Sequence, residues 1–180
     1  LYNNHVNTLD SDKIIEFHES KNILKSDILK KEFEYANYNL NAYFENKLEL
    51  EDVFDIRQWS SFLSIIELTS AYHALKYGNL RLYYNPVTML IEPIAYDAEI
   101  NEDLLIGKNY FNNLDFDYWQ IPFFIRDMLK NDKFYKSYIS QLRKLIDENY
   151  LNEFFEKNND FIDNQIKIIN SDFNYSFYNK

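Results

Sequence analysis

The sequence predicts a mainly α-helical (α+β) domain in which helices surround one central β-hairpin. Hydrophobic residues make up 46% of the chain, which is too apolar for a disordered protein. Only two glycines and three prolines occur in 180 residues, so we expect long helices, because these two residue types are the ones that most often interrupt a helix. The alternation of apolar and polar side chains that is typical of strands is found around residues 80–95. A chain of this length fits one domain with a substantial core.

Composition also narrows the classes of partner. The net charge of −10 repels duplex nucleic acid, and no run of Lys or Arg forms a basic patch, so we expect no nucleic-acid partner. The absence of cysteine excludes disulfides and thiolate metal sites. No apolar run is long enough to span a bilayer. The sequence favours no particular oligomeric state.

The N-terminal quarter of the chain reads as helical. From Ser11 to Leu50 it is charged and contains neither Gly nor Pro, and its apolar residues recur at helical spacing. We expect two or more helices here, with a break near Asn37–Asn41. The chain opens with Leu1 rather than Met and has no signal-peptide pattern, which predicts that it is a piece of a longer protein.

A clearer helix is predicted after residue 55. Asp55 is a suitable N-cap, with Gln58 as its partner in a capping box. Four large apolar residues then follow at i, i+3, i+4 and i+7 and should face the core: Trp59, Phe62, Leu63 and Ile66. We expect this helix to end near Thr69–Tyr72, before a loop that holds His73 and Gly78.

The hairpin is predicted from two short segments and the turn between them. Leu80, Leu82 and Tyr84 alternate with Arg81 and Tyr83. The sequence Asn85–Thr88 is typical of a turn, and Met89–Ala95 provides the returning strand. Pro93 lacks a backbone N–H, which indicates an edge or an interruption in that strand.

The rest of the chain is predicted to be helical again. Residues Asn101–Tyr118 read as an acidic loop or short helical turns. From Pro122 onward the spacing of apolar residues predicts two or three antiparallel helices, with breaks at Asn131-Asp132 and Asn149-Tyr150. We interpret the many Tyr and Phe residues of this region as core packing rather than as a cofactor site.

Two polar residues flank the hairpin and form the candidate site. Asn79 precedes the first strand and Asp97 follows the second, so both should lie at the open end of the hairpin. Paired backbone positions are about 5 Å apart, close enough for an amide oxygen and a carboxylate to share one cation. Mg²⁺ prefers such ligands, and protein kinases hold it with an Asn and an Asp arranged in this way.

The same region resembles a known family. Residues Phe54–Asp97 resemble the C-lobe signature of the CotH kinases, the spore-coat protein H-like atypical protein kinases, through NLRLYYNP (residues 79–86) and PIAYD (residues 93–97). The family shows "Nxxlyydp" and "piayD" at these places. A second segment, Phe124–Ile166, resembles the stretch that follows in the family, and the two segments occur in the family's order.

The resemblance implies a protein-kinase-like fold that binds ATP and Mg²⁺ and phosphorylates Ser or Thr of a protein substrate. It implies metal binding by Asp97 and the role of the catalytic-loop Asn for Asn79. Residues 51–180 would form the C-terminal lobe, and residues 1–50 a helical segment leading from a missing N-terminal lobe. It also favours the cell envelope or another extracytoplasmic location, and an envelope partner is an alternative to a substrate.

The chain departs from the family in three ways. The family has an Asp in the loop before the Asn, but Ser70–Gly78 contains no carboxylate; His73 lies at about that position and can accept a proton near neutral pH. Asp97 is followed by Ala98-Glu99 instead of an aromatic-acidic pair. No Gly-rich loop or strand Lys precedes the helices, so this fragment alone should be inactive.

These departures leave other functions open. One is a pseudokinase, a binding or envelope-structural module without the catalytic Asp. Another is a helical interaction domain whose hairpin is a lid, which predicts that Asn79 and Asp97 are far apart or in unrelated hydrogen bonds. Asn79 and Asp97 also have ordinary interpretations as turn or cap residues. For Glu99 we favour a solvated carboxylate, and for Arg81 a salt bridge over a phosphate contact.

Overall fold

The computed structural model describes residues 25–99 and 121–173. The elements in chain order are α1 (Asp27–Phe44), α2 (Leu50–Val53), α3 (Ile56–Thr69), a 3-10 turn (Tyr72–Leu75), β1 (Arg81–Asn85), β2 (Leu90–Ile94), α4 (Phe123–Lys130), α5 (Asp132–Leu145) and α6 (Glu148–Phe173). Within these residues β1 and β2 form a two-stranded antiparallel sheet. The predicted mainly helical α+β class with one hairpin is therefore confirmed.

Helix α1 is continuous where a break was expected. The predicted break near Asn37–Asn41 is wrong, because the helix runs to Phe44 and buries Leu40 and Ala42 against the core. The low helix propensity of Asn is weaker than this tertiary packing. Ser26 caps the start of α1, where its hydroxyl accepts a hydrogen bond from the backbone N–H of Leu29. The part of the predicted N-terminal segment before residue 25 lies outside the described residues.

Helix α3 begins at the predicted N-cap, but only half of the capping box forms. The carboxylate of Asp55 accepts a hydrogen bond of 2.9 Å from the backbone N–H of Gln58. The backbone N–H of Asp55 donates to the carbonyl oxygen of Ile91 at 3.1 Å, so it is not available to the Gln58 side chain. At the start of α2 the other half of such a box is present, since the carboxylate of Asp52 accepts a hydrogen bond of 3.0 Å from the backbone N–H of Glu49.

The core is built on aromatic side chains from α3 and its neighbours. The four apolar residues predicted to face the core are all buried, with Trp59 completely inaccessible. The rings of Phe54 and Phe124 stack with centroids 5.4 Å apart. The indole of Trp59 meets both rings edge to face, at 5.9 Å and 5.7 Å. Aromatic pairs in these geometries stabilise a core beyond their buried area.

The hairpin is fixed to the core through Ile91 in β2. The Ile91 carbonyl oxygen accepts a hydrogen bond of 2.9 Å from Nε1 of Trp59, in addition to the one from the N–H of Asp55. Phe54 forms a single parallel bridge to Ile91 on the side of β2 that faces away from β1. Buried polar groups are costly unless they are paired, so these contacts fix where the hairpin lies against α3.

The turn of the hairpin lies one residue later than predicted, because Asn85 is the last residue of β1. The structure places Met89 in the turn, so the second strand is Leu90–Ile94 and not Met89–Ala95. Met89 has a left-handed backbone (φ 60°), which ends strand pairing at that point. The side chain of Asn85 starts the turn, where its oxygen accepts a hydrogen bond of 3.0 Å from the N–H of Val87. Pro93 lies opposite Leu82, beyond the bridge at Ile91.

Helix α5 packs directly against α3 through serines. The hydroxyls of Ser60 and Ser137 are 2.8 Å apart, and Ser64 donates to the backbone carbonyl of Tyr138 at 3.2 Å. The Ser64 hydroxyl also lies 2.7 Å from the carbonyl of Ser60. Ser60 and Ser64 of α3 are both fully buried. Their hydroxyls are nevertheless paired, because each has a hydrogen-bond partner on α5.

One of the two predicted breaks among the C-terminal helices is confirmed. Asn131 separates α4 from α5, and its side chain caps α5 by accepting from the N–H of Phe134 at 3.0 Å. The break predicted at Asn149-Tyr150 is wrong, since both residues lie in the first turn of α6. The interruption falls at Asp147, whose carboxylate accepts a hydrogen bond of 2.9 Å from the N–H of Asn149. The predicted acidic loop lies mainly outside the described residues.

The aromatic residues of the C-terminal region divide into two groups. Phe134 and Tyr138 of α5 are buried, as expected. Phe154, Phe155 and Phe161 of α6 are exposed by 45%, 56% and 65%, so their prediction as core residues is wrong. Among the described elements, α6 packs against α5. No helix in the described ranges is both long and apolar enough to cross a membrane.

We predict that Trp59→Phe lowers the free energy of unfolding by about 2–4 kcal/mol, because it removes a hydrogen bond to Ile91 and leaves a void in the core. Urea denaturation of the 180-residue chain measures this loss. Tyr83→Phe is the control, since Tyr83 is half exposed on β1, and a change within about 0.5 kcal/mol is expected. A loss below about 1 kcal/mol for Trp59→Phe would show that the hairpin does not depend on this bond.

We predict that the protein loses stability as the pH rises from 10 toward 12. Burial raises the pKa of Tyr43 from 10.0 to about 12, with the charges of Asp127 and Glu49 adding to the effect. The folded state therefore retains this proton when the unfolded state releases it, so the related stability is complete below pH 10.0 and is lost as the pH rises through about 12. Urea midpoints measured across this range should fall less steeply in Tyr43→Phe.

The matched control for this pH experiment is Tyr38→Phe, because Tyr38 lies on the same helix and is 69% exposed. This variant should follow the wild-type curve. If Tyr43→Phe and Tyr38→Phe have the same dependence on pH, burial of Tyr43 is not the cause of the alkaline loss.

Candidate functional site at the open end of the hairpin

The candidate site lies where the hairpin ladder ends. The last backbone pair of the ladder is Arg81 with Ile94. Extending this register outward by two residues puts Asn79 opposite Tyr96, the neighbour of Asp97. The prediction that Asn79 and Asp97 lie within a few residues of facing each other therefore agrees with the observed register.

A left-handed residue turns the chain from α3 toward this site. Ser70 ends α3 with φ 53°, and the N–H of Ala71 then donates to the carbonyl of Ile66 at 3.1 Å. The 3-10 turn that follows has buried Tyr72, Ala74 and Leu75. The intervening His73 has a side chain that is 43% exposed, so the core holds the turn while the imidazole reaches solvent.

Asn79 is positioned by a second tight turn. The N–H groups of Asn79 and Leu80 both donate to the carbonyl oxygen of Lys76 at 2.8 Å. The side chain of Asn79 points back to the 3-10 turn, where Nδ2 donates to the backbone carbonyl of His73 at 3.1 Å. This bond orients the amide nitrogen toward His73.

Asp97 reaches the same histidine from the other side of the hairpin. It has a left-handed backbone (φ 50°), a conformation that Asp tolerates better than most residues. Its Oδ2 lies 2.9 Å from Nδ1 of His73, and both side chains are 43% exposed. The structure thus brings all three predicted site residues, His73, Asn79 and Asp97, into contact through the imidazole.

The hydrogen bonds determine which imidazole nitrogen carries the proton. Nδ2 of Asn79 is 3.0 Å from Nδ1 and 3.4 Å from Nε2 of His73, and Oδ2 of Asp97 also faces Nδ1. One Nδ1 atom cannot both accept a hydrogen bond from the Asn79 amide and donate one to the Asp97 carboxylate. Because an ionised carboxylate only accepts hydrogen bonds, Nδ1 carries the proton and donates to Asp97. In the neutral imidazole Nε2 then keeps its lone pair, which Nδ2 of Asn79 faces at 3.4 Å.

This arrangement is suited to general acid–base chemistry. A carboxylate that accepts from Nδ1–H orients an imidazole and stabilises the imidazolium that forms when Nε2 takes a proton. Partial exposure lets a substrate reach the ring, since a general base must lie within hydrogen-bond distance of the proton that it removes. A role for His73 as a proton acceptor stays a prediction, and its contact with Asp97 and its exposure are compatible with it.

The oxygens that could hold a metal are Oδ1 of Asp97 and Oδ1 of Asn79. Neither has a hydrogen bond within residues 25–99 and 121–173, whereas Oδ2 of Asp97 and Nδ2 of Asn79 both contact His73. No cluster of three or more His, Cys, Asp or Glu side chains suited to a metal occurs in those ranges. Two protein oxygens fit Mg²⁺, which usually binds one or two protein groups and fills its other positions with water and phosphate. A shared cation stays a prediction.

Two neighbouring residues complete the description of the site. Glu99 is exposed, in agreement with a solvated carboxylate. Arg81 was expected to form a salt bridge, but no carboxylate within the described ranges is paired with it. Its guanidinium lies over the ring of Tyr96, 4.7 Å from the centroid, and donates to the carbonyl of Gly78 at 2.9 Å. Sequence reasoning missed this stacking, although the extended register brings Tyr96 near the start of β1.

Comparison with known proteins gives no relative for this site. No protein-family model matches the chain, and neither do curated proteins or solved structures. The resemblance to CotH kinases therefore remains a likeness of short motifs. The geometry of His73, Asn79 and Asp97 is the basis on which a function can be proposed.

Proposed function

We propose that this chain is part of an ATP- and Mg²⁺-dependent phosphotransferase of the CotH kinase type, which phosphorylates Ser or Thr of a protein. In this proposal Asp97 and Asn79 hold the metal and His73 accepts the proton of the acceptor hydroxyl. The observation that supports it best is the contact of all three side chains, which come from the 3-10 turn and from the two ends of the hairpin.

The proposed reaction needs little from the protein beyond charge and position. The acceptor oxygen forms a bond to the γ-phosphorus, the bond to the bridging oxygen breaks, and ADP leaves. The acceptor proton moves to Nε2 of His73, and the imidazolium is stabilised by the carboxylate of Asp97. Bound Mg²⁺ would neutralise charge on the phosphates.

The proposal assigns different oxygens of Asp97 to different tasks. Oδ2 orients His73, as its distance of 2.9 Å from Nδ1 allows, while Oδ1 remains for the metal. In the family the proton acceptor or orienting group of the loop is a carboxylate. An imidazole in the same place has no negative charge, so it can approach the carboxylate of Asp97 without repulsion.

A non-catalytic binding module is the second candidate, and one observation favours it. The segment from Ser70 to Gly78 contains no carboxylate, which removes the group that the family uses in that loop. A protein of this kind would keep the fold and its partner surfaces without turnover. Nucleotide binding and phosphoryl transfer, measured separately, distinguish the two candidates.

For the metal site we predict that Asp97→Asn weakens Mg²⁺-dependent ATP binding by the full-length protein at least about tenfold, since it removes a charged ligand. Calorimetry with ATP, with and without Mg²⁺, measures this. Asn tolerates the left-handed backbone at this position, so the variant should fold. Glu99→Gln is the matched control, because it removes the same charge two residues away and should bind ATP as the wild type does.

Equal affinities in Asp97→Asn and Glu99→Gln would exclude Asp97 as a ligand. If the wild-type protein itself binds no nucleotide in the presence of Mg²⁺, the kinase proposal fails and the binding module remains.

For the proton acceptor we predict that His73→Gln lowers kcat for phosphoryl transfer by about 10²–10⁴-fold while the affinity for Mg²⁺ and ATP is retained, because only the proton transfer is lost. Radiolabelled phosphate transfer by the full-length protein to a protein substrate measures kcat. Tyr77→Phe is the control in the same loop, with a half-exposed ring that contributes to neither role. Wild-type kcat in His73→Gln would contradict a catalytic role for the histidine.

A further inference from the structure

The open end of the hairpin continues past the last pair of strand residues. The ladder ends with Arg81 opposite Ile94. Asn79 and Asp97 both lie beyond this pair, in segments that the described strand register does not include. The turn at Lys76 and the His73 carbonyl hold Asn79, and Asp97 contacts the imidazole of His73; a side chain that contacts both segments would add to these bonds.

The side chain of Arg81 makes contacts to both segments. Its Nη1 donates to the carbonyl oxygens of Gly78 at 2.9 Å and Leu80 at 3.3 Å, which flank Asn79. Its guanidinium carbon lies 4.7 Å from the centroid of the Tyr96 ring, and Tyr96 immediately precedes Asp97. A guanidinium can stack on a ring with its face while its edge donates hydrogen bonds.

We infer that Arg81 is a positioning residue that holds Asp97 against His73 by stacking on Tyr96. The stack fixes the residue before Asp97, and the bonds to Gly78 and Leu80 fix the segment that carries Asn79. Within residues 25–99 and 121–173, Arg81 has no hydrogen bond or ion pair with the imidazole or the carboxylate; it acts on the pair through its neighbours.

Asp97 needs such support for two reasons. Its left-handed backbone is less favourable than the extended one, so the conformation persists only where its surroundings impose it. Its carboxylate is 43% exposed, and water competes for the hydrogen bond to His73. When Tyr96 is released, the backbone can relax and move the carboxylate away from Nδ1.

This inference deepens the proposed function, since it names the residue that keeps His73 oriented, but its test does not require phosphoryl transfer. The readout is the position of the proton on the imidazole of His73, which ¹⁵N NMR of the 180-residue chain reports at neutral pH. The wild-type protein should carry the proton on Nδ1, because that nitrogen faces Asp97.

Arg81→Gln should lower the ratio of the Nδ1–H form to the Nε2–H form by about two- to fivefold, the range expected for losing an exposed cation–π contact. Tyr96→Leu should lower it by the same factor, whereas Tyr96→Phe should leave it unchanged because the ring remains. Arg81→Lys should give an intermediate value, since an ammonium keeps the charge but not the planar stack.

Two further variants separate this contact from general effects. Arg57→Gln removes the same charge from an exposed residue of α3 and should leave the ratio unchanged. The double variant Arg81→Gln with Tyr96→Leu should lower the ratio no further than either single change, because both changes remove one shared interaction. The dispersion of backbone amide signals identifies any variant that does not fold, and Tyr96→Leu then provides the test without altering Arg81.

A wild-type ratio in folded Arg81→Gln or Tyr96→Leu would overturn the inference, as would an equal loss in Arg57→Gln. The outcome is independent of the kinase proposal. If the ratio falls as expected but the full-length protein binds no nucleotide with Mg²⁺, Arg81 still positions Asp97 and only the proposed function fails.

Discussion

The carbonyl oxygen of Ile91 accepts two hydrogen bonds, one from the indole of Trp59 and one from the backbone N–H of Asp55. Both donors lie at the start of α3, and the acceptor lies in the middle of the hairpin's second strand. These two hydrogen bonds fix the hairpin against the helix. Because the chain leaves the other end of α3 directly into the 3-10 turn, the same contact sets where His73 lies relative to the open end of the hairpin. The site geometry thus depends on a bond in the core.

The parts of the fold that could be predicted from sequence are those specified by neighbouring residues. The N-cap at Asp55 was predicted from a side chain three positions before the N–H that it binds, and the predicted break at Asn131 has the same local cause. The break expected at Asn37–Asn41 failed because it relied on propensity alone, and burial of Leu40 favours a continuous helix. The exposure of Phe154 in α6 was missed, because the spacing of apolar residues identifies the apolar face of a helix but does not show whether another element packs against that face.

Some features of the candidate site could also be predicted from the sequence, and others could not. The proximity of Asn79 and Asp97 could be predicted, because a hairpin brings its two ends together whatever its turn. The direct pairing of His73 with Asp97 could not, since it depends on left-handed backbone at two residues, Ser70 and Asp97, that are not glycine. The stacking of Arg81 on Tyr96 was also missed, because charge patterns along a sequence suggest salt bridges before cation–π contacts.

The carboxylate of Asp97 faces the imidazole of His73 through one oxygen and is open to solvent elsewhere. Any cation that binds this carboxylate draws on the same negative charge that accepts the hydrogen bond from Nδ1 of His73. The two interactions are then thermodynamically linked, and the linkage is reciprocal. A cation held by Asp97 would weaken the bond that orients the imidazole, and losing that bond would strengthen the cation site by the same factor.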